Sequence, residues 1–533
     1  MILSMGTLWE WALLISLLIL AAYFLGTWGH DHFSKRNIPS LKPVPFLGNN
    51  SPIIFRQRSF PDFILDVYNG IKGHKYGGFY DFLKPVIVLR DPELIKMVTV
   101  KDFEHFLDHR ALFTEEIEPL FGKGLFSLQG HKWKHMRSTL SPAFTSSKMK
   151  NMFMLVSECG VQLVDFLHQL GNIIEIEMKD LVTRYTNDVI ATTALGIACD
   201  SLKNPQNEFY IMGKELTTMG AIAQMKFIGY SLSPKLMKTL NIKLISDKMS
   251  NFFRSLILDT MKIREDKGIV RSDMIHLLMQ ARKGTLQNEE NGAADGPAIK
   301  INSMKLKKTY AQGKKLKWED DDIIAQALLF YFAGFETVST LMCFVSNQLA
   351  VYPDVQTRLQ QEIDQTLQEN DGKITYEAVH SMKYLDMVLS ETLRIHSPAV
   401  MTDRKCVKTY NLPTEPAYTL HPGDIVWIPV HGLHRDPEFF PDPDKFDPER
   451  FSEENKDKIK PFTYLPFGSG PRNCIGNRFA LMETKIALVH ILSHFNFLVV
   501  SRTPIPIQIT KKGINLTVDG GFWIGLEERV QNH

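Results

Sequence analysis

Cysteine is scarce in this sequence. Among 533 residues there are five cysteines, an odd number, widely scattered and without a C-x-x-C pair. This usage argues against a disulfide framework and against a zinc site, and it favours a reducing compartment. The cysteines are Cys159, Cys199, Cys343, Cys406 and Cys474.

A strong net charge, linkers and internal repeats are also missing. The formal charge is +2 and the isoelectric point is about 8.1, so the whole-chain charge does not indicate a nucleic-acid partner. Length alone suggests roughly three or four domains. No stretch rich in Pro, Gly and Ser divides the chain, however, and 44% of its residues are hydrophobic. We therefore expect one large folded unit.

The longest apolar run at a terminus is LWEWALLISLLILAAYFLGTW, residues 8–28. It has about the 20 residues that a membrane helix needs. Lys35 and Arg36 follow it and no basic residue precedes it, which predicts that the body faces the cytosol. A cleaved signal peptide is the alternative, but its basic leading segment is missing. We predict a membrane anchor in residues 1–36, then a proline-rich stretch (IPSLKPVP) that opens a single domain in residues 37–533.

Beyond the anchor, most apolar residues recur with the period of a helix, as in MKNMFMLVSECGVQLVDFLHQL and RFALMETKIALVHILSHF. Strand-like runs are few and short, such as PVIVLR and DIVWIPV. The pattern predicts a mainly α fold with a small β region. The polar segment from residue 283 to 317 predicts a solvated surface loop.

One cysteine stands apart. Cys474 lies in the loop-forming run LPFGSGPRNCIGNRF, just before an amphipathic helix. Single cysteines are usually small buried hydrophobes. Here the helix dipole and backbone NH groups would lower the thiol pKa, so Cys474 could also act as a nucleophile or as a metal ligand. A nucleophile needs a base in a recognisable motif, and none stands out among the seventeen histidines. A haem iron needs only one axial thiolate.

The segment FGSGPRNCIG resembles the haem-binding signature of the cytochrome P450 monooxygenases, F-x-x-G-x-R-x-C-x-G. The matching residues are Phe467, Gly470, Arg472, Cys474 and Gly476. The resemblance implies a cytochrome P450 fold in which Cys474 is the proximal thiolate ligand of haem b. It also implies that Phe467 packs near the sulfur and that Arg472 pairs with a haem propionate.

Further segments resemble other motifs of this family. SETLRIHSP matches its E-x-x-R at Glu391 and Arg394, and Arg450 would complete a buried ion network. HKWKHMR matches W-x-x-x-R at Trp133 and Arg137, which the resemblance assigns to the propionates. Arg404 falls where the family carries another propionate-binding arginine. His109 lies near a further contact position, although the local match is loose.

The long apolar segment around YFAGFETVST could be a second membrane span, but Glu336 and the acidic WEDDD before it favour a buried core helix. It resembles the oxygen-binding motif of the family at Ala333, Gly334, Glu336 and Thr337. The resemblance makes Glu336 and Thr337 catalytic, in proton delivery to bound oxygen. Alternatively, Thr337 only bonds back to the carbonyl of Ala333. Val338 departs from the Thr or Ser of many relatives.

The resemblance is greatest to insect microsomal members related to the drug-metabolising group. It implies a single-pass protein of the endoplasmic reticulum membrane that inserts one oxygen atom from O2 into lipophilic small molecules, in detoxification of xenobiotics or toxins. The chain lacks a G-x-G-x-x-G fingerprint after a strand, so electrons from NADPH would come through NADPH-cytochrome P450 reductase, with cytochrome b5 as a second candidate donor. A haem-thiolate isomerase or dehydratase, and a non-catalytic haem sensor or carrier, remain alternatives.

Overall fold

The computed structural model describes residues 5–111, 113–217, 220–271, 273–283 and 318–530. Helices dominate these residues, as predicted. In the N-terminal half they are α1 (Met5–Gly26), α2 (Ser51–Ile54), α3 (Phe60–Asn69), α4 (Pro92–Lys96), α5 (Pro119–Gly122), α6 (Gly130–Leu140), α7 (Ser146–Leu170), α8 (Met178–Ile190), α9 (Glu208–Thr217), α10 (Ala221–Leu232), α11 (Pro234–Thr239), α12 (Asp247–Lys267) and α13 (Met274–Lys283). In the C-terminal half they are α14 (Asp320–Val351), α15 (Pro353–Glu369), α16 (Tyr376–Ser381), α17 (Lys383–Ile395), α18 (Val430–His434) and α19 (Asn477–His494). The surface loop predicted for residues 283–317 lies, beyond Lys283, outside the described residues.

The β structure is small and consists of short strands. They are β1 (Tyr76–Asp81), β2 (Lys84–Leu89), β3 (Ile173–Glu177), β4 (Thr402–Lys405), β5 (Tyr410–Leu412), β6 (Tyr418–Leu420), β7 (Ile425–Ile428), β8 (Phe495–Leu498) and β9 (Trp523–Glu528). One sheet has the order β1-β2-β7-β4, a second β3-β9-β8, and β5 pairs with β6. In the largest sheet β2 and β7 are parallel, with Val86 opposite Ile425, and the other pairs are antiparallel. The mainly α fold with a small β region is confirmed.

Helix α14 runs through the core. Its start is fixed by a capping box, in which the Glu319 backbone NH donates to Asp322 Oδ2 at 2.8 Å. The helix packs most extensively against α8. A Cβ atom on Gly334 would lie 2.4 Å from Ile190 Cδ1, so this close packing explains the helix-weakening glycine.

Two helices of the described residues are long and apolar enough to cross a membrane, α1 and α14. Most of the apolar window of α14 is buried inside the protein, whereas only 6% of that of α1 is. The apolar face of α14 therefore serves the core, and α1 fits a membrane anchor. Helix α1 ends at Gly26. Further along the chain, Ser40 forms an isolated parallel β-bridge with Gly78 of β1.

Candidate functional site

The loop before α19 is held by its own backbone. The Cys474 NH donates to the carbonyl of Phe467 at 2.9 Å, and the Asn473 NH donates to the carbonyl of Gly470 at 3.0 Å. Gly470 has φ +73°, and a Cβ there would lie 1.8 Å from the carbonyl oxygen of Thr99. Only glycine fits this position. The cysteine loop can therefore pack directly against the backbone of Thr99.

Burial dominates the electrostatics of Cys474. It raises the pKa of the thiol, while the Gly476 NH and the charge of Arg137 act in the opposite direction. The lowered thiol pKa predicted from the helix dipole is therefore wrong for the thiol by itself, because desolvation outweighs the dipole. A bonded metal cation would remove this penalty on the thiolate. Arg137 donates to the carbonyl of Asn473 at 2.9 Å and to its Oδ1 at 2.8 Å.

A cavity of about 490 Å³ separates the cysteine loop from α14. Cys474 and Phe467 lie on one wall, and Ala333 and Thr337 lie on the other. The Cys474 side chain is accessible because it opens onto this interior space. Most of the remaining lining is apolar and includes Leu125, Phe126, Ile190, Met274, Leu329, Phe330, Val338, Leu341 and Met401.

Arg472 and Trp133 line the cavity together. The guanidinium lies 4.1 Å above the Trp133 ring and donates to the carbonyls of Leu107 at 2.9 Å and Leu128 at 2.7 Å. It also lies 3.4 Å from Asp108 Oδ1. Burial lowers the pKa of Arg472 to about 9, which leaves it protonated at neutral pH.

Arg404 is 1% exposed on β4, and burial lowers its pKa to about 10. It donates to its neighbour's carbonyl at Asp403 and, at 3.2 Å, to the carbonyl of Ser469. Its Nε is buried without a partner among the described residues. Beside it, His109 Nδ1 lies 2.9 Å from Asp403 Oδ1 and the imidazole stacks on Phe126, with ring centres 4.7 Å apart.

The two candidate catalytic residues of α14, Thr337 and Glu336, lie in different surroundings. Thr337 faces the cavity, and its Oγ1 donates to the carbonyl of Ala333 at 2.6 Å, the back-bonded alternative. Glu336 instead accepts from Lys179 Nζ at 3.0 Å. Lys179, on α8, also donates to Ser339 and Thr340. The structure therefore brings Thr337 to the cavity and leaves Glu336 in an ion pair beside it.

The comparison with known proteins decides the family. A family model described as Cytochrome P450 matches residues 39–523. The chain belongs to the cytochrome P450 family. It is 64% identical over 543 residues to Cytochrome P450 9e2 of Blattella germanica, covering 99% of each chain. It is 42% identical to Probable cytochrome P450 9f2 of Drosophila melanogaster, covering 98% of this chain and 100% of that one. It is 38% identical to Cytochrome P450 6k1 of B. germanica, covering 96% and 95%.

This P450 is therefore a haem monooxygenase of the insect type represented by those relatives. The family holds haem iron through a cysteine thiolate, takes electrons from a redox partner and acts on lipophilic substrates. The isomerase, dehydratase and sensor alternatives lose their basis.

The cavity fits a haem. It offers a single thiol, and the described residues contain no group of three or more His, Cys, Asp and Glu side chains that could hold a bare metal ion. A metal carried by its own macrocycle needs only that thiol. Two arginines, Arg137 and Arg472, line the cavity against one carboxylate, Asp403, and within the described ranges the Nε of Arg404 has no partner. These groups suit the anionic edge of a ligand, and the apolar lining suits a flat apolar ring.

The ion network predicted behind the site is present. Arg394 Nε lies 2.7 Å from Glu391 Oε2, and both side chains are fully buried. Arg450 Nε lies 3.3 Å from Glu391 Oε1. His434 was missed by the sequence reasoning. Its Nδ1 lies 3.1 Å from the carbonyl of Arg394, and its Nε2 accepts from the backbone NH of Leu465 at 2.8 Å. His434 thus ties the ion network to the cysteine loop, and no local motif marks it.

Proposed function

We propose that this P450 oxidises foreign lipophilic compounds such as xenobiotics and toxins, and that Cys474 supplies its haem thiolate. The observation that carries the proposal is the composition of the cavity wall opposite and around Cys474. Apolar side chains such as Phe126, Leu329, Phe330 and Met274 dominate it. A wall with few directional polar groups excludes polar molecules but discriminates weakly among apolar ones, as a detoxifying enzyme requires.

The haem-binding roles follow from charge and shape. Trp133, Arg137, Arg404 and Arg472 would hold the carboxylate edge of the haem, since buried guanidinium groups pair well with carboxylates. Phe467 would pack beside the sulfur of Cys474, whose NH its carbonyl already accepts. When bound, haem supplies the redox chemistry for oxygen activation, and the protein supplies binding, orientation and protons.

Thr337 and Glu336 would manage protons on the opposite wall. Thr337 Oγ1 donates to Ala333, so its lone pairs remain able to accept a hydrogen bond from a water in the cavity. That water and the hydroxyl can pass a proton at Oγ1 in a space that is otherwise apolar. Glu336 would exchange protons with solvent from its position beside Lys179, which keeps the carboxylate oriented.

The membrane proposal is a single-pass anchor in residues 1–36, with the domain of residues 37–533 on the cytosolic side of the endoplasmic reticulum. The exposed apolar surface of α1 supports it. The sequon at Asn515 gives a test, because a cytosolic body never meets the glycosylation machinery. Expression in insect cells should yield no glycan on Asn515, and a glycosidase-sensitive form would contradict the orientation.

For electron supply we propose NADPH-cytochrome P450 reductase, with cytochrome b5 as a second donor. Lys132 and Lys134 flank Trp133 on α6 and are candidates for a basic docking surface for an acidic reductase. They form ion pairs with Glu115 at 2.8 Å and Glu104 at 2.6 Å, which reduces the charge that they offer to a partner. Charge reversal at both lysines should therefore change reductase coupling only slightly, and a large salt-sensitive loss would show that they dock the partner.

Reconstitution tests the proposed function. The full chain is combined with an insect NADPH-cytochrome P450 reductase in vesicles and incubated with lipophilic insecticides, plant toxins and, as a comparison, endogenous lipids. NADPH- and O2-dependent product formation from several unrelated foreign compounds is expected. Turnover of one endogenous lipid, with no product from any foreign compound, would contradict the detoxification role.

A further inference from the structure

His109 is held rigidly at the edge of the haem cavity. It is 7% exposed, and its ring stacks on Phe126 with an interplanar angle of 19°. Asp403 accepts two hydrogen bonds, from His109 Nδ1 at 2.9 Å and from the backbone NH of Arg110 at 2.7 Å. Burial alone would raise the pKa of Asp403, but His109, the Arg110 NH and the charge of Arg404 outweigh it and hold the pKa below its usual value, so the carboxyl is ionised.

The partner of Nδ1 decides the tautomer of the ring. A carboxylate only accepts hydrogen bonds, so His109 Nδ1 carries a proton. In the neutral imidazole Nε2 then has a lone pair and no proton. Among the described residues Nε2 has no hydrogen-bond partner, and His109 lines the cavity. Neutral His109 would therefore present an acceptor to the haem carboxylates, which are acceptors themselves.

The fixed charges around His109 leave a deficit once a haem is bound. The charges that act most strongly on His109 are the guanidinium groups of Arg404 and Arg472 and the carboxylate of Asp403, which sum to one positive charge. Two haem carboxylates would turn this sum into one negative charge. Protonated His109 would restore neutrality.

Two further cations lie on neighbouring residues. Arg110 forms an ion pair with Asp81, and Lys405 donates at 3.4 Å to the neutral Gln129 Oε1 and keeps its charge, but the charges that act most strongly on His109 are Asp403, Arg404 and Arg472. Without haem, burial and the charges of Arg404 and Arg472 lower the pKa of His109, against the opposing effect of Asp403. His109 is therefore neutral at pH 7 before haem binds.

We propose that haem binding is coupled to the uptake of one proton by His109, whose Nε2–H then donates to a haem carboxylate while Asp403 holds Nδ1–H. Because the complex binds a proton that the haem-free chain lacks, haem affinity falls as pH rises. The fall is up to about tenfold per pH unit, between the lowered pKa of the haem-free chain and the raised pKa of the complex. The inference depends on haem binding alone and not on any substrate.

Haem transfer from the holoprotein to excess apomyoglobin tests the coupling. The wild type should lose haem about tenfold faster at about pH 9 than at about pH 6, because deprotonation of His109 removes its charge-assisted hydrogen bond to a haem carboxylate. His109→Arg, which keeps a cation, should lose haem slowly at every pH. His109→Gln should lose it fast at every pH. His131→Gln, at an exposed position on α6, should follow the wild type.

A wild-type profile that matches His109→Gln would overturn the proposal, and so would equal pH dependence in His109→Arg. A direct measurement covers variants that load haem poorly. Infrared spectra of wild-type holoprotein carrying ¹³C-carboxylate haem should show a carboxylate band that shifts over the same pH range. A band that does not move would refute proton uptake at His109. Asp403→Asn should move the midpoint of the shift to lower pH, because the carboxylate that favours the imidazolium is lost.

Discussion

Replacing Glu391 by glutamine is expected to lower the free energy of unfolding by about 3–5 kcal/mol. Both Glu391 and Arg394 are 0% exposed, and the guanidinium meets the carboxylate through two bonds, Nε to Oε2 at 2.7 Å and Nη2 to Oε1 at 2.8 Å. Glutamine keeps the shape but removes the charge. The buried guanidinium of Arg394 would then lose its counter-charge. Arg450 would lose the same counter-charge, because it also pairs with Glu391.

The same change should reach the haem site. The carbonyl of Arg394 accepts from His434, and His434 Nε2 accepts from the backbone NH of Leu465, where the cysteine loop begins. A shift of Arg394 would therefore loosen the loop that carries Cys474. We expect Glu391→Gln to be purified with much less haem per polypeptide than the wild type.

An exposed ion pair provides the matched control. Asp364 accepts two bonds from Arg529, at 2.6 and 3.0 Å, but its side chain is 50% exposed. Asp364→Asn makes the same chemical change where water screens the charge, so its cost should stay below about 1 kcal/mol. Urea unfolding followed by tryptophan fluorescence gives the stability, and the pyridine haemochrome assay gives the haem content.

Equal losses in the two variants would refute the reasoning, because burial would then make no difference to the pair. Normal haem content in a strongly destabilised Glu391→Gln would contradict the link through His434. It would leave the network as a stabilising element that does not position the cysteine loop.

Four further predictions concern the site. Cys474→Ala should abolish the red-shifted band of the reduced carbon monoxide complex, and an intact band would exclude Cys474 as the ligand. Thr337→Ala should keep haem content but yield less product and more hydrogen peroxide per NADPH oxidised, and identical ratios would leave Thr337 as a back-bonded core residue. Lys179→Met removes the cation that orients Glu336, so product formation should slow at unchanged haem content; wild-type rates would exclude that role. Burial and the charge of Arg394 lower the pKa of His434 to about 3. Below about pH 6.5 the unfolded chain therefore binds a proton that the folded chain refuses, and stability should fall by about 1.4 kcal/mol per pH unit on acidification. His434→Gln should reduce the slope in urea titrations by that one-proton share, while buried histidines such as His396 and His431 keep theirs.

Several features of the fold and site could be predicted because short stretches of sequence carry them. The period of apolar residues identified the helices, and the acidic lead-in of α14 together with Glu336 marked it as a core helix and not a second membrane span. The spacing of Glu391 and Arg394 placed both on one helical face, where they pair. Helix period and residue spacing are local, so sequence alone can show them.

The glycines of the loop around Cys474 and its place before α19 also marked it in the sequence. The direction of the shift in the pKa of the Cys474 thiol could not be predicted in this way. The helix dipole is a local property, whereas the burial that raises the pKa of Cys474 depends on everything packed around the cavity. Glu336 shows the same limit. Its ion pair comes from Lys179, 157 positions away in sequence.

The residue pattern alone was enough for the family's motifs, for the helices that carry them and for an apolar N-terminal helix that fits a membrane anchor. Which charges meet depended on the folded chain. Asp403 reaches His109 across 294 positions, and His434 connects the ion network to a loop that no motif links to it. The reason is physical: burial, hydrogen-bond partners and hence proton affinities are set by neighbours in space, and long-range packing alone fixes those neighbours.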